Sequence, residues 1–366
     1  MLRTLAVFVA LMVCAGCGDD NGTADVGPFL DAGPFLDAPP TDAGPMDAGT
    51  DAGPPDACMP VDGGCVYAAW SDVTPAMSPP AREDHAMAYD SARGRVVLFG
   101  GRDRTLTRLA DTWEYDGTVW TETTPATSPP ARDDHAMAYD SARGRVVLFG
   151  GTACSGPPAG DAGLPRRVPM LDTWEYDGAT WSEVTPATSP PERYGHAMAY
   201  DSARGRIVLF AGWGGVGDTW EYDGTTWTAT TPTTSPSARV EHVMAFDSAR
   251  GRVVLFGGRG RTRLADTWEY DGTTWTETTP ATSPSSNSGQ HEMAYDSARG
   301  RVVLFPGAAT WEYDGTTWTE TTPATSPPAR FQHGMAYDSA HGRVVLFGGY
   351  GRSGGPLADT WEYYVP

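Results

Sequence analysis

Four short segments rich in Val, Thr, Trp, Tyr and Phe recur along the chain, each closed by a cluster of turn residues. In their first full occurrence they are Ala86 to Asp90, preceded by His85; Arg95 to Phe99, followed by Gly100-Gly101; Asp111 to Tyr115; and Thr118 to Thr123. Composition and spacing make all four strands. The second, Val96-Val97-Leu98-Phe99, is apolar on both faces, which predicts a strand buried on both sides between neighbouring sheets. Asp116-Gly117 between the third and fourth is a hairpin signal, because the turn needs positive φ. No stretch beyond residue 16 carries a helical period.

The unit is repeated six times. Arg-Val-Val-Leu-Phe-Gly-Gly stands unchanged at 95–101, 145–151, 252–258 and 343–349, with variants at 206–212 and 301–307. The histidines that open the units are His85, His135, His196, His242, His291 and His333, 42 to 61 residues apart. Periods of this size signal solenoids, propellers or arrays, and a repeated four-stranded antiparallel sheet packed face to face is a propeller blade. The fold class is therefore all-β: a six-bladed propeller of four-stranded antiparallel blades. The chain stops after a third strand, at Trp361 to Pro366, and the missing fourth strand stands before the first unit, where 69–82 aligns with 119–132. That strand should complete the last blade, closing the ring and leaving no open strand edges.

The His before the first strand, the Gly-Gly after the second, the Tyr-Asp ending the third and the Trp opening the fourth resemble the kelch family of β-propellers, over residues 66–366. The interval from Tyr115 to Trp120 is shorter than in kelch repeats, which implies a tighter hairpin. The resemblance implies the fold more than the activity, because kelch propellers include partner-binding modules, sugar-binding domains and galactose-oxidase-type enzymes.

Upstream, residues 1–16 form a signal peptide: Arg3, an apolar run from Leu5 to Val13, then small residues. Their ending resembles a bacterial lipoprotein signal in which Cys17 is lipidated, with Cys14 where Leu is usual. The resemblance implies an exported, membrane-anchored lipoprotein of the outer membrane or cell surface; the alternative is a freely secreted protein. Residues 17–65 are an Asp/Ala/Gly/Pro-rich tether, too poor in large apolar residues to pack a core, with a reach on the order of 40 Å as a flexible coil. Cys58 and Cys65 close a small loop and predict a disulfide in an exported chain; Cys154 is expected to be a free thiol.

The formal net charge is −20; the tether contributes ten Asp and no basic residue and the signal contributes Arg3, which leaves −11 for 66–366. An acidic propeller argues against nucleic acid as a partner. Every basic residue is Arg, so a phosphate-cradling Gly-Gly loop with its usual Lys is excluded.

Connections alternate between the two faces of the disk. One face carries near-identical turns. The other carries the variable second-to-third loops, including Arg102, Arg104, Trp213, Arg259 and Arg261, and the two-residue slots before each histidine. Those slots hold Glu83-Asp84, Asp133-Asp134, Tyr194-Gly195, Val240-Glu241, Gly289-Gln290 and Phe331-Gln332. Variable loops on a rigid scaffold are where binding resides, so the candidate binding residues are these side chains. The carboxylates of the first, second and fourth units could meet a cation or a basic peptide, or simply be solvated. The six histidines, rotationally separated, are read as structural and held by a hydrogen bond, so no metal or cofactor is assigned. No catalytic grouping departs from the repeat. The expected function is a non-enzymatic, envelope-tethered, monomeric propeller that binds a protein or a polysaccharide through the loop face. A carbohydrate-active or oxidative enzyme, and a purely structural surface repeat, stay open.

Overall fold

A computed structural model describes residues 59–61, 64–66, 68–155, 166–214, 217–285, 291–352 and 354–365. These residues contain six four-stranded antiparallel sheets. The first runs Ala86–Asp90, Arg95–Phe99, Thr112–Tyr115 and Trp120–Thr123, with each strand paired to the next in sequence. Four more sheets follow the same order, their first strands being Ala136–Asp140, Ala197–Asp201, Val243–Asp247 and Glu292–Asp296. The sixth takes Gly334–Asp338, Arg343–Phe347 and Thr360–Tyr364 from the end of the chain and Ala69–Asp72 from its beginning. Trp70 lies opposite Tyr363 in that pairing.

Apolar second strands decide how the sheets stack. Val96 to Phe99 and their counterparts in the other five sheets are 0–1 % exposed, because each is covered on both faces. The hydrophobic clusters accordingly lie between sheets rather than within one: Val96, Leu98, Tyr115 and Trp120 pack with Ala336, Val345 and Phe347 of the sixth. First strands pack on first strands in sequence order, and Gly334–Asp338 also packs on Ala86–Asp90. This is the arrangement of a β-propeller.

Polar side chains staple neighbouring sheets. The fourth-strand indole Nε1 donates to a third-strand threonine Oγ1 of the preceding sheet: Trp181 to Thr112 at 3.0 Å, Trp120 to Thr360 at 2.9 Å, Trp70 to Thr310 at 2.8 Å. The third-strand tyrosine hydroxyl donates to the preceding sheet's glutamate, as Tyr176 does to Glu114 at 3.0 Å and Tyr115 to Glu362 at 3.1 Å. The same glutamate takes an arginine from its own sheet, Arg93 on Glu114 at 2.7 Å. The sixth sheet has His341 in that arginine's place, bonded to Asp338 at 2.6 Å, and Glu362 is met instead by Arg343.

A second staple holds the loop face. Arg82, fully buried, reaches Asp111 at 2.6 Å, and Arg132–Asp172, Arg193–Asp218, Arg239–Asp266 and Arg330–Asp359 repeat it at 2.6–2.8 Å. Each arginine also donates to the backbone carbonyl of the residue after the second strand's phenylalanine, as Arg82 does to Gly100 at 2.9 Å. Removing one partner of a buried pair leaves the other uncompensated. Arg193→Ala should therefore lower stability by about 3 kcal/mol in a denaturant titration, and adding Asp218→Ala should recover part of that loss.

Candidate axial binding site

The slot before each histidine is built on strained backbone. Asp84, Asp134, Glu241 and Gln332 have φ of 54–61°, and Gly195 in the same slot has 62°. Non-glycine residues avoid this left-handed region unless their surroundings hold them there. The holding force is a chain of backbone hydrogen bonds from sheet to sheet. The N–H of Asp84 donates to Gln332 O at 3.1 Å, Asp134 to Asp84 at 3.1 Å, Gly195 to Asp134 at 3.0 Å and Glu241 to Gly195 at 2.9 Å. The result is a collar whose side chains line one axial cavity that opens to solvent.

The residue before the collar pairs with the variable loop. Glu83 and Arg102 exchange backbone bonds at 3.1 and 2.9 Å, as do Asp133 with Thr152 and Val240 with Arg259. Loop and slot are thus one surface. Gly101 makes the pairing possible: at φ 88°, a Cβ there would sit 2.6 Å from the Glu83 carbonyl.

Charges on this surface are mostly compensated internally. Arg102 meets Glu83 at 2.8 Å and Asp84 at 3.0 Å; Arg108 meets Asp133 at 2.9 Å; Arg167 pairs with Asp134; Arg259 meets Glu241 at 3.3 Å. Carboxylate oxygens of Asp84, Asp133 and Asp134 lie within 4.8 Å of one another, close enough for a cation, but the guanidinium groups of Arg102, Arg108 and Arg167 already supply positive charge there. Burial pushes Glu83 and Asp84 above the usual carboxylate range, and Asp134 adds to the rise at Asp84. Burial pushes Asp133 up as well, yet Arg167, Arg108 and Arg102 together hold it below its ordinary value.

Of the other loop arginines, Arg104 donates to Pro356 O at 3.3 Å and Arg261 is exposed. Two aromatic pairs stand beside the mouth. Tyr194 stacks on Trp213 with centroids 5.3 Å apart and planes at 15°, and the Arg167 guanidinium lies 4.4 Å from the Tyr194 centroid. Phe331 stacks on Tyr350 at 5.2 Å. Trp213 is 45 % exposed and Phe331 36 %. Gln332 donates from Nε2 to Asp84 at 2.9 Å, joining the first and sixth units across the collar. Cys17, Cys58, Gln290 and the side chain of Cys65 lie outside the described residues.

Two expectations are corrected. Cys154 is disulfide-bonded, not a free thiol. The histidine ring nitrogens of five units make no hydrogen bond of normal geometry, although His85, His135, His196 and His242 each keep a weaker contact with the backbone of Phe347, Phe99, Phe149 and Phe210. The rings are held instead edge-on to the preceding sheet's phenylalanine, His85 on Phe347 and His135 on Phe99 at 5.6 Å. All six histidines are 1–6 % exposed. Burial depresses them, to about 3 at His135 and His242 and about 4 at His291, with the neighbouring arginine adding to the effect.

A residue missed in the sequence is Glu292. It opens the fifth first strand, where the other units have Ala86, Ala136, Ala197, Val243 and Gly334, and it lines the axial cavity. Burial pushes its carboxyl up to about 8. At the equivalent position of the sixth unit stands Gly334, whose missing Cβ space is taken by Met87 Sδ at 2.6 Å and His85 Nε2 at 2.8 Å. The signal was present: His-Glu-Met-Ala-Tyr-Asp replaces His-Ala-Met-Ala-Tyr-Asp inside an otherwise constant strand. The fifth unit also has Ser288 and Ala309 where the others carry the Arg–Asp staple, so both partners are absent together.

No curated protein matches the chain. Residues 165–314, from the second unit's insertion to the hairpin of the fifth, match the family model of the KLHDC2/KLHL20/DRC7 Kelch-repeats domain. Together with the recurring four-stranded sheets, that match supports a kelch-repeat β-propeller.

Proposed function

We propose that the chain is a binding module: a six-bladed propeller, closed by its N-terminal strand, that captures a protein partner on the loop face. Kelch-repeat domains serve as protein-interaction scaffolds, which favours protein over polysaccharide. The observation that carries the reading is the gathering of unlike side chains on one face. Tyr194 with Trp213, Phe331 with Tyr350, and the ion pairs of Arg102, Arg167 and Arg259 all border one mouth, while the opposite turns repeat almost unchanged. Exposed aromatic rings over a rigid backbone supply contact area at low entropy cost.

Residues 1–16 act as the export signal, Cys17 carries the lipid, and 17–65 form the tether, so the monomeric propeller works at the envelope surface. The support is the sequence of that segment alone. Palmitate labelling that disappears in Cys17→Ser is the expected result; unlabelled wild-type protein in the culture medium would refute the anchor.

Trp213→Ala and Phe331→Ala test the binding face. Each should reduce capture of envelope protein at least tenfold while moving the melting temperature little, because both rings are exposed. Undiminished capture in the double variant, or retention on a glycan array with none on envelope protein, contradicts this reading.

A further inference from the structure

Below its collar, the axial cavity carries an acid, Glu292, at one first-strand position where the other units have small or apolar residues. At the mouth, Asp84, Asp134 and Glu241 each have an arginine partner. Among the described residues no ion pair reaches Glu292. A second observation concerns the same wall. The imidazoles of His85, His135, His196, His242 and His333 line the cavity and are at most 6 % exposed; in the first four the ring leans on the backbone of the preceding sheet's phenylalanine, which leaves one ring nitrogen as an acceptor without a partner. A neutral imidazole offers one lone pair as acceptor. Carboxylate and imidazole acceptors together call for a ligand that donates hydrogen bonds and carries positive charge. These acceptors are spread around a ring, which suits the fan of N–H groups on a guanidinium better than a single compact ion.

We propose that the axial cavity receives one cationic side chain, arginine or lysine, of the protein partner, which ion-pairs with Glu292. This rests on the reading of the loop face as a protein-binding surface and names what that surface recognises at its centre.

The groups facing Glu292 set how the pair forms. They are Glu241, His242 and Val243 from the fourth unit, Gln332 and His333 from the sixth, its own neighbour His291, and Asp84 and Asp134 across the mouth. The imidazoles are neutral, the acids at the mouth are paired, and Arg263 acts on His291 and Glu241, so among the described residues no cation holds the Glu292 carboxylate ionised. Burial keeps it protonated below about pH 8. Capturing the cation therefore releases one proton from the carboxyl oxygen to solvent. Affinity should rise about tenfold per pH unit below that point, and roughly 50-fold from pH 6 to 8.

The test is calorimetric titration of the full chain with the peptide acetyl-Gly-Gly-Arg-Gly-Gly-amide, its citrulline counterpart, and Zn²⁺ alone. The variants are Glu292→Gln, Glu292→Ala (which restores the repeat's own residue, so it folds) and Trp213→Ala. The expected result is binding of the arginine peptide over the citrulline peptide, strengthening from pH 6 to 8. Both Glu292 variants should weaken it at least tenfold at pH 8 and flatten its pH dependence. Equal binding by Glu292→Gln, equal binding of citrulline, or Glu292-dependent binding of Zn²⁺ without the peptide would overturn the proposal. Partner capture that needs Trp213 but ignores Glu292 overturns this inference alone. Loss of all partner capture alongside intact peptide binding refutes the parent reading instead.

Discussion

Acidification from pH 7 to 5 should unfold the protein cooperatively, with net uptake of several protons. The six ring histidines are the cause. Burial depresses each one, to about 3 at His135 and His242 and about 4 at His291, and well below the ordinary value at His85, His196 and His333. A depressed histidine contributes stability that is full above its unfolded value near 6.5 and is lost as pH falls toward the folded value. Each costs about 1.4 kcal/mol per pH unit below 6.5, so six contribute about 8 kcal/mol per unit. The carboxyls raised by burial, Glu83, Asp84, Glu241 and Glu292, act in the opposite sense and return part of that slope. The remainder is still several kcal/mol per unit against a typical stability of about 5–15 kcal/mol. Thermal melts between pH 8 and 4.5 should show the midpoint falling steeply below pH 6.5. A midpoint that stays flat from pH 7 to 5 would mean that the histidines are not buried neutral.

Trp70→Ala should cost about 4 kcal/mol, as much as Trp227→Ala in the middle of the chain. The two indoles occupy equivalent places. Both are 0 % exposed, and Trp70 donates to Thr310 at 2.8 Å as Trp227 does to Thr173 at 3.0 Å. Trp70 also lies 5.1 Å from Tyr363 and 5.6 Å from Phe305. If Ala69–Asp72 were an appendage and not the last strand of a ring, Trp70→Ala would cost far less than Trp227→Ala in urea unfolding. Deleting the chain before residue 76 should go further, uncovering the edge of Thr360–Tyr364 and causing aggregation.

Strand order and the N-terminal pairing were legible because each strand carries its own marker. Trp70 and Trp120 open fourth strands, Tyr-Asp closes third strands, and six copies average out local ambiguity. Between-sheet burial of Val96 to Phe99 followed from apolarity on both faces. Contacts made across tens of residues were not legible. Arg82 and Asp111 are ordinary charges in sequence, and only their joint replacement by Ser288 and Ala309 hinted at a pair. The left-handed collar was hidden because Asp84, Glu241 and Gln332 are not residues that announce positive φ. The loop arginines looked outward in sequence; Arg102 and Arg259 turn to the carboxylates of the slot beside them. Glu292 was not legible because its position holds Ala, Val or Gly in the other units, and sequence alone does not show that this first-strand position faces the axial cavity.

The account depends on a ring whose two ends meet, since only a ring brings six unlike slots to one axis. Ala69 and Tyr364 lie directly opposite each other across the joining pair of strands. Trypsin cuts this Lys-free chain after Arg82 and after Arg352, and the native segment beyond Arg352 holds no cysteine. In Ala69→Cys/Tyr364→Cys, oxidation of dilute monomer should join those two tryptic segments within one molecule. Segments that stay separate, or that join only between molecules, would contradict the ring.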